Sequence, residues 1–155
     1  WARKGVPAPE SVAEHSFRMA LMAMMLGDRQ GLDPFKLVRM CLIHDLPEVI
    51  VGDITPHDGV SAEEKHQRER VAMETLIRDI PDGKTYLALW QEYEAGQTPE
   101  ARLAHQIDKL EMAIQAAEYQ RQHPDIDLSE FLDNVESTIT DDDFRTMLDV
   151  IRQDS

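Results

Sequence analysis

The chain is 155 residues long, with 42% hydrophobic residues, 30% charged residues and a formal net charge of −14, the proportions of one globular domain able to bury a core. That charge argues against nucleic acid or an acidic membrane surface as a partner, because both require a basic face. No run approaches the ~20 apolar residues that cross a bilayer, and the longest, Met19 to Gly27, also has the wrong flanks for a signal peptide.

The periodicity is helical nearly throughout. Ser11 stands three residues before Glu14, a capping box that predicts a helix start at Ser11 and places His15 near the first turn. Gly27 or Gly31 should stop that helix. In "LDPFKLVRMCLIHDL" Asp33 reads as an N-cap and Pro34 as the first helical residue, with the helix carried through Leu46. Pro47 should free the carbonyl of Ile43 and kink or end that helix, after which "VGD" leads into a loop at Asp53. A second capping box, Ser61 with Glu64, opens a helix ending before Pro81, and "KTYLALWQEYEAG" is a shorter helix closed by Gly96. Thr98 and Pro99 open the longest helix, to about Gln122, and two short helices near 129–138 and 141–153 finish the chain. Strand signals are nearly missing, and the Asp-Gly pair at 58–59 reads as loop. The expected fold is therefore all-α, one domain over residues 1–155, with about seven helices. Because the first residue is Trp1 rather than methionine, residues upstream of it are expected to belong to the same protein.

The unusual residues fall in "LIHDLPEVIVGDITP", residues 42–56. On a helix, positions 37, 41, 44, 45 and 48 share a face, so His44, Asp45 and Glu48 continue an apolar stripe that includes Leu37 and Cys41. Ionisable groups on an inward face need partners, water or a metal. His15, at the start of an apolar helix, and Asp108, near the inward face of the longest one, are further candidates. Two imidazoles and two carboxylates, separated by 29 residues (15 to 44) and 63 residues (45 to 108), make an N/O ligand set suited to Mn, Fe, Co, Ni or Zn. Spacing alone leaves satisfied core residues as the alternative, since no local signature such as HExxH is present.

The ordered set "VAEH…IHDLPE…GDITP…HQIDKLE" resembles the HD-domain metal-dependent phosphohydrolases, and within them the branch of 5′-deoxynucleotidases. The likeness runs from Trp1 through about Tyr119. It implies a divalent metal (Mn, Co or Mg, with Fe, Ni and Zn also compatible) held by His15, His44, Asp45 and Asp108. It implies that Glu48 and Asp53 form the acidic pair on which the chemistry depends, and that Trp1 packs by the sugar and disfavours a ribose 2′-hydroxyl. The branch commonly has a basic residue just before that tryptophan, a position that would precede Trp1. Members of the branch resemble homodimers, and Met- and Leu-rich helical faces would suit such an interface. The sequence departs from cyclic-dinucleotide phosphodiesterases, which resemble "HDIGK" with a "GYP" element. Alarmone hydrolases carry adjacent Glu-Asp, whereas Glu48 here is followed by Val49.

The resemblance implies hydrolysis of deoxynucleoside 5′-monophosphates to deoxynucleoside and phosphate. Such a metal supplies a nucleophile at neutral pH and neutralises phosphate charge. Glu48 would orient or deprotonate the attacking water and Asp53 would supply a proton to the sugar oxygen, or the two would exchange roles. Two alternatives stand beside this reading: hydrolysis of another phosphoester such as guanosine tetraphosphate, and a non-catalytic HD interaction module. Lys65, Arg18 and Lys109 read as solvated helix residues before phosphate contacts. His57, His66, His105 and His123 read as surface or loop histidines, and the methionines at 19, 22, 24, 25 and 40 as core. Cys41 reads as a buried, inert thiol in a reducing, cytoplasmic setting.

Overall fold

The computed structural model describes residues 1–55 and 58–153. After a 3-10 turn over Ala2–Lys4 come α1 (Val12–Gln30), α2 (Pro34–Ile43), the single-turn α3 (Glu48–Val51), α4 (Ala62–Ile77), α5 (Gly83–Ala95), α6 (Pro99–Gln122), α7 (Ser129–Thr138) and α8 (Asp142–Gln153). Seven of these run ten residues or more, and no strand forms among the described residues. His57 lies outside the described residues.

Local chemistry sets most boundaries. Ser11 accepts from the Glu14 N–H while the Glu14 carboxylate accepts from the Ser11 N–H at 2.8 Å, the reciprocal box that starts α1. Gly31, not Gly27, stops the helix by entering the left-handed region at φ 69°. Gly27 is instead buried where α1 crosses α2, and a Cβ there would lie 3.2 Å from Leu37 Cδ2. At α4 only one arm of the expected box forms: Ser61 accepts from the Glu64 N–H, while the Glu64 carboxylate pairs with Arg68.

The region around Pro47 corrects the sequence reading. α2 ends at Ile43, not Leu46, and residues 44–47 form a tight turn before α3. Pro47 has no N–H to give the Ile43 carbonyl, and that carbonyl is not left free. It accepts from the Leu46 N–H one residue sooner, at 3.1 Å, which tightens the chain from α-helical to 3-10 spacing. The inward face survives the tightening, because His44 keeps helical dihedrals of −58° and −44°.

α6 is the central post, packed on by α1, α2, α5, α7 and α8. Its inward positions Ala101, Ala104, Ala113, Ala116 and Ala117 are small and buried, so neighbouring helices approach closely. Met19, Leu37, Met40, Ile107 and Leu110 fill the space between them, and a smaller cluster of Met73, Ile77 and Trp90 lies where α4 meets α5. The methionines divide: Met19 and Met40 are buried and Met22 packs at the core's edge, but Met24 and Met25 are exposed, contrary to the expectation of core. No helix is long and apolar enough to cross a membrane among the described residues.

Candidate metal centre

Three elements bring the sequence-selected residues together. α1 carries His15 in its first turn, the α2–α3 turn carries His44 and Asp45, and α6 carries Asp108. His15 Nε2 lies 3.4 Å from Asp108 Oδ1 and 3.8 Å from Asp45 Oδ2, and His44 Nε2 lies 3.0 Å from the same Asp45 oxygen. One donor atom from each of His15, His44 and Asp45 falls within 4.8 Å of the others. The two imidazoles tilt 55° to one another with centroids 5.3 Å apart.

The far nitrogen of each ring is tied back. His44 Nδ1 donates to the Cys41 carbonyl at 2.8 Å, and His15 Nδ1 donates to Glu111 Oε2 at 2.5 Å. Both bonds leave Nε2 as the free donor atom and turn it toward the carboxylates. His44 Nε2 is buried and makes no hydrogen bond despite the nearby Asp45 oxygen. A buried, unpaired ring nitrogen is costly, and a cation shared with Asp45, Asp108 and His15 would satisfy it. The donor set, two imidazole nitrogens and two carboxylates, fits a divalent first-row metal or Mg.

The electrostatics follow from the crowding. Burial pulls the His15 pKa down, but its hydrogen bonds to Asp108 and Glu111 and their charges prevail and raise it to about 10. His44 is likewise raised: burial opposes protonation and Asp45 outweighs it. Burial pushes Asp108 up, yet His15, Lys109 and His44 together hold its carboxyl well below the usual range. Burial, reinforced by the Asp45 and Asp53 charges, lifts Glu48 to about 7, with Lys65 pulling the other way. Glu48 is half-buried at the start of α3, and Asp53 is exposed on the loop beyond Gly52.

Trp1 is half-buried against the core, its ring 4.7 Å from Phe131 and 5.4 Å from Tyr119. Its indole N–H donates to Glu10 Oε1 at 3.1 Å, and a Glu10 donor atom falls within 4.8 Å of those of His15 and Glu111. Glu10 thus links Trp1 to the His15–Glu111 pair.

Several contributors escaped the sequence reading. Glu111 is fully buried and touches His15, and Arg18 pairs with Glu111 instead of lying in solvent. The available signal was Glu111's place one helical turn after Asp108, on the same face of α6. Trp90 donates to the His44 carbonyl at 3.1 Å, and Tyr93 packs its ring 5.2 Å from His44. Lys65 and Lys109 are part-exposed and pair with Glu69 and Asp108. His66 is exposed as expected, but His105 is half-buried, stacked on Tyr93 and donating to the Tyr93 carbonyl. Cys41 is buried, and burial pushes its thiol up to about 12, which makes it inert.

Comparison with known proteins was made on this geometry. A family model described as an HD domain matches residues 1–147. "5′-deoxynucleotidase HDDC2" of Dictyostelium discoideum is 44% identical over 131 residues, covering 79% of this chain and 69% of that protein. The Xenopus laevis protein of the same name is 46% identical over 122 residues, covering 77% of this chain and 60% of its own length. The chain therefore spans roughly 60–70% of these relatives. A solved structure, the "Conserved hypothetical protein from Pyrococcus furiosus", superposes with a TM-score of 0.78 at 32% identity, over 99% of this chain and 89% of that one.

Proposed function

The chain belongs to the HD-domain family, and on that premise we propose that it is a metal-dependent 5′-deoxynucleotidase, cleaving deoxynucleoside 5′-monophosphates to deoxynucleoside and phosphate. The observation that supports the reading is the grouping of donor atoms from His15, His44 and Asp45 within 4.8 Å of one another, with Asp108 Oδ1 3.4 Å from His15 Nε2 and the half-buried Glu48 following in the chain. The names of the relatives supply the substrate class.

His15, His44, Asp45 and Asp108 would hold the cation, with Mn, Co or Mg the candidates. When bound, it would neutralise charge on the phosphate and make a water nucleophilic at neutral pH. Glu48, titrating near 7, suits the exchange of a proton with that water, because a general base works best near the operating pH. Asp53, on the exposed loop, would supply or relay a proton to the departing 5′-oxygen. The two carboxylates could exchange these parts. Trp1, fixed by Glu10, Tyr119 and Phe131, would meet the sugar and disfavour a 2′-hydroxyl. Two carboxylates beyond the four ligands favour a catalyst over a silent module, since a structural metal site needs no such pair.

The working form is a homodimer in a reducing cytoplasm, with no nucleic-acid or membrane partner. Phe17, Leu21 and Met24 recur at helical spacing on α1 and are exposed, an apolar stripe suited to a second copy. The single cysteine is buried, and the net charge of −14 opposes polyanionic partners.

The test is phosphate release from dAMP, dCMP, dGMP and dTMP beside AMP, guanosine tetraphosphate and p-nitrophenyl phosphate, using metal-stripped protein reloaded with single metals. Metal-dependent turnover favouring the deoxynucleotides supports the reading. Selective turnover of the tetraphosphate would move the activity to alarmone hydrolysis.

A further inference from the structure

The two ligand imidazoles are secured by different means. His44 is tied to a backbone carbonyl, that of Cys41, at 2.8 Å. His15 is tied to a side chain, the Glu111 carboxylate, at 2.5 Å. Glu111 is fully buried, where a carboxylate is hard to account for by packing alone. A buried ion pair is weak evidence for stability, because an apolar pair of similar volume commonly serves as well.

The neighbours of Glu111 are arranged around its charge. Arg18 Nε lies 3.0 Å from Glu111 Oε1. Arg18 is itself held from the far side by the buried Gln115, whose side-chain oxygen accepts from Nη1, and by Glu118 at 3.2 Å. Arg18 follows His15 by three residues on α1, and Glu111 follows Asp108 by three on α6. Each helix therefore presents two successive positions of one face to the other. The result brackets the imidazole: Asp108 Oδ1 stands 3.4 Å from Nε2 and Glu111 Oε2 stands 2.5 Å from Nδ1. A single helix, α6, thus carries both the carboxylate that shares the cation with His15 and the one that fixes the ring.

We propose that Glu111, clamped by Arg18, is a positioning residue that sets the tautomer and ring plane of His15 for metal binding. The proposal rests on the metal-site reading above. In this role Glu111 would be a ligand of neither substrate nor metal. It acts through His15 by taking the Nδ1 proton as a hydrogen bond, which keeps the Nε2 lone pair available and raises its basicity.

The test is the Zn²⁺ dissociation constant of the metal-stripped full chain, measured by competition against a chromogenic chelator. Removing such a partner weakens metal binding roughly 10–100-fold, so E111Q should bind Zn²⁺ at least tenfold more weakly. E64Q, which loses the exposed Arg68 pair on α4 and touches none of these residues, should stay within twofold. Long-range proton–nitrogen correlation spectra of the wild type loaded with diamagnetic Zn²⁺ provide a second reading that does not depend on how E111Q folds. They should show His15 protonated at Nδ1 and metallated at Nε2. Wild-type affinity in E111Q, or zinc on Nδ1 in the wild type, would overturn the proposal while leaving the metal site standing. A wild type that binds no Zn²⁺ would overturn the metal site and the proposal with it.

Discussion

At the scale of the residue, the centre works by opposing environments. Glu48 is raised to about 7 by burial and by Asp45 and Asp53, whereas Asp108 is held far below the usual carboxylate range. In the proposed mechanism one carboxylate would move a proton while the other stays ionised as a ligand. Glu48→Gln should lower turnover by roughly 10²–10⁴-fold and leave bound metal unchanged, as single-turnover kinetics beside metal analysis would show. Near-normal turnover would remove Glu48 from the chemistry. His15 yields a pH prediction for the metal-free protein. Its pKa is 6.5 ordinarily and about 10 when folded, so folding favours the protonated ring. Its contribution to stability is complete below pH 6.5 and is lost as pH rises through 10. The melting temperature of metal-free wild type should therefore fall across that window more than that of His15→Asn. Metal competes with the same proton, so affinity should rise as the window is crossed. The four candidate ligands could be picked out in the sequence because each sits where an ionisable residue interrupts an apolar face. Glu111, Arg18 and Trp90 were not, because their roles depend on which helices cross, and one chain's periodicity does not carry that.

At the scale of the element, helix starts were readable and helix ends less so. Caps are local: Ser11, Asp33, Ser61 and Thr98 each accept from a backbone N–H of the first turn, and their chemistry lies within four residues. The stop at Ile43 is different. Pro47 acts four residues upstream through a donor it lacks, and the Ile43 carbonyl recruited Leu46 rather than kinking a continuing helix. The joint between α4 and α5 is as sharply set. A Cβ at Gly83 would stand 2.5 Å from the Ile77 carbonyl oxygen, closer than any side chain tolerates. Gly83→Ala should destabilise the protein by about 1–3 kcal/mol through this overpacking, seen as a lower urea midpoint at unchanged m-value. Trp90, from α5, supports the centre from behind by donating to the His44 carbonyl. Trp90→Phe leaves that buried carbonyl short of a donor, at a cost of about 1–3 kcal/mol. It should also weaken metal binding more than an equally destabilising change distant from His44.

At the scale of the whole molecule, α6 joins stability to chemistry. It packs against five other helices and places Asp108 and Glu111 beside His15, so the post that organises the core also carries one of the proposed ligands. The three other proposed ligands come from α1 and the α2–α3 turn, and a cation bound by all four would link segments far apart in the chain. Free metal at a hundredfold its dissociation constant stabilises a folded protein by about 2.7 kcal/mol, which for this length is a melting shift of about 5–10 °C. Stripping with chelator should reverse that shift, and a chain carrying Asp108→Ala should not respond to metal at all. The central claim is that these converging residues make a metal-dependent deoxynucleotidase, and phosphate release tests it most directly. Metal-stripped protein, reloaded with Mn²⁺, Co²⁺ or Mg²⁺ and given deoxynucleoside and ribonucleoside 5′-monophosphates in parallel, should be inactive without metal and active with it, with preference for the deoxy substrates. Metal bound without turnover of any monophosphate, or turnover indifferent to metal, would contradict the account.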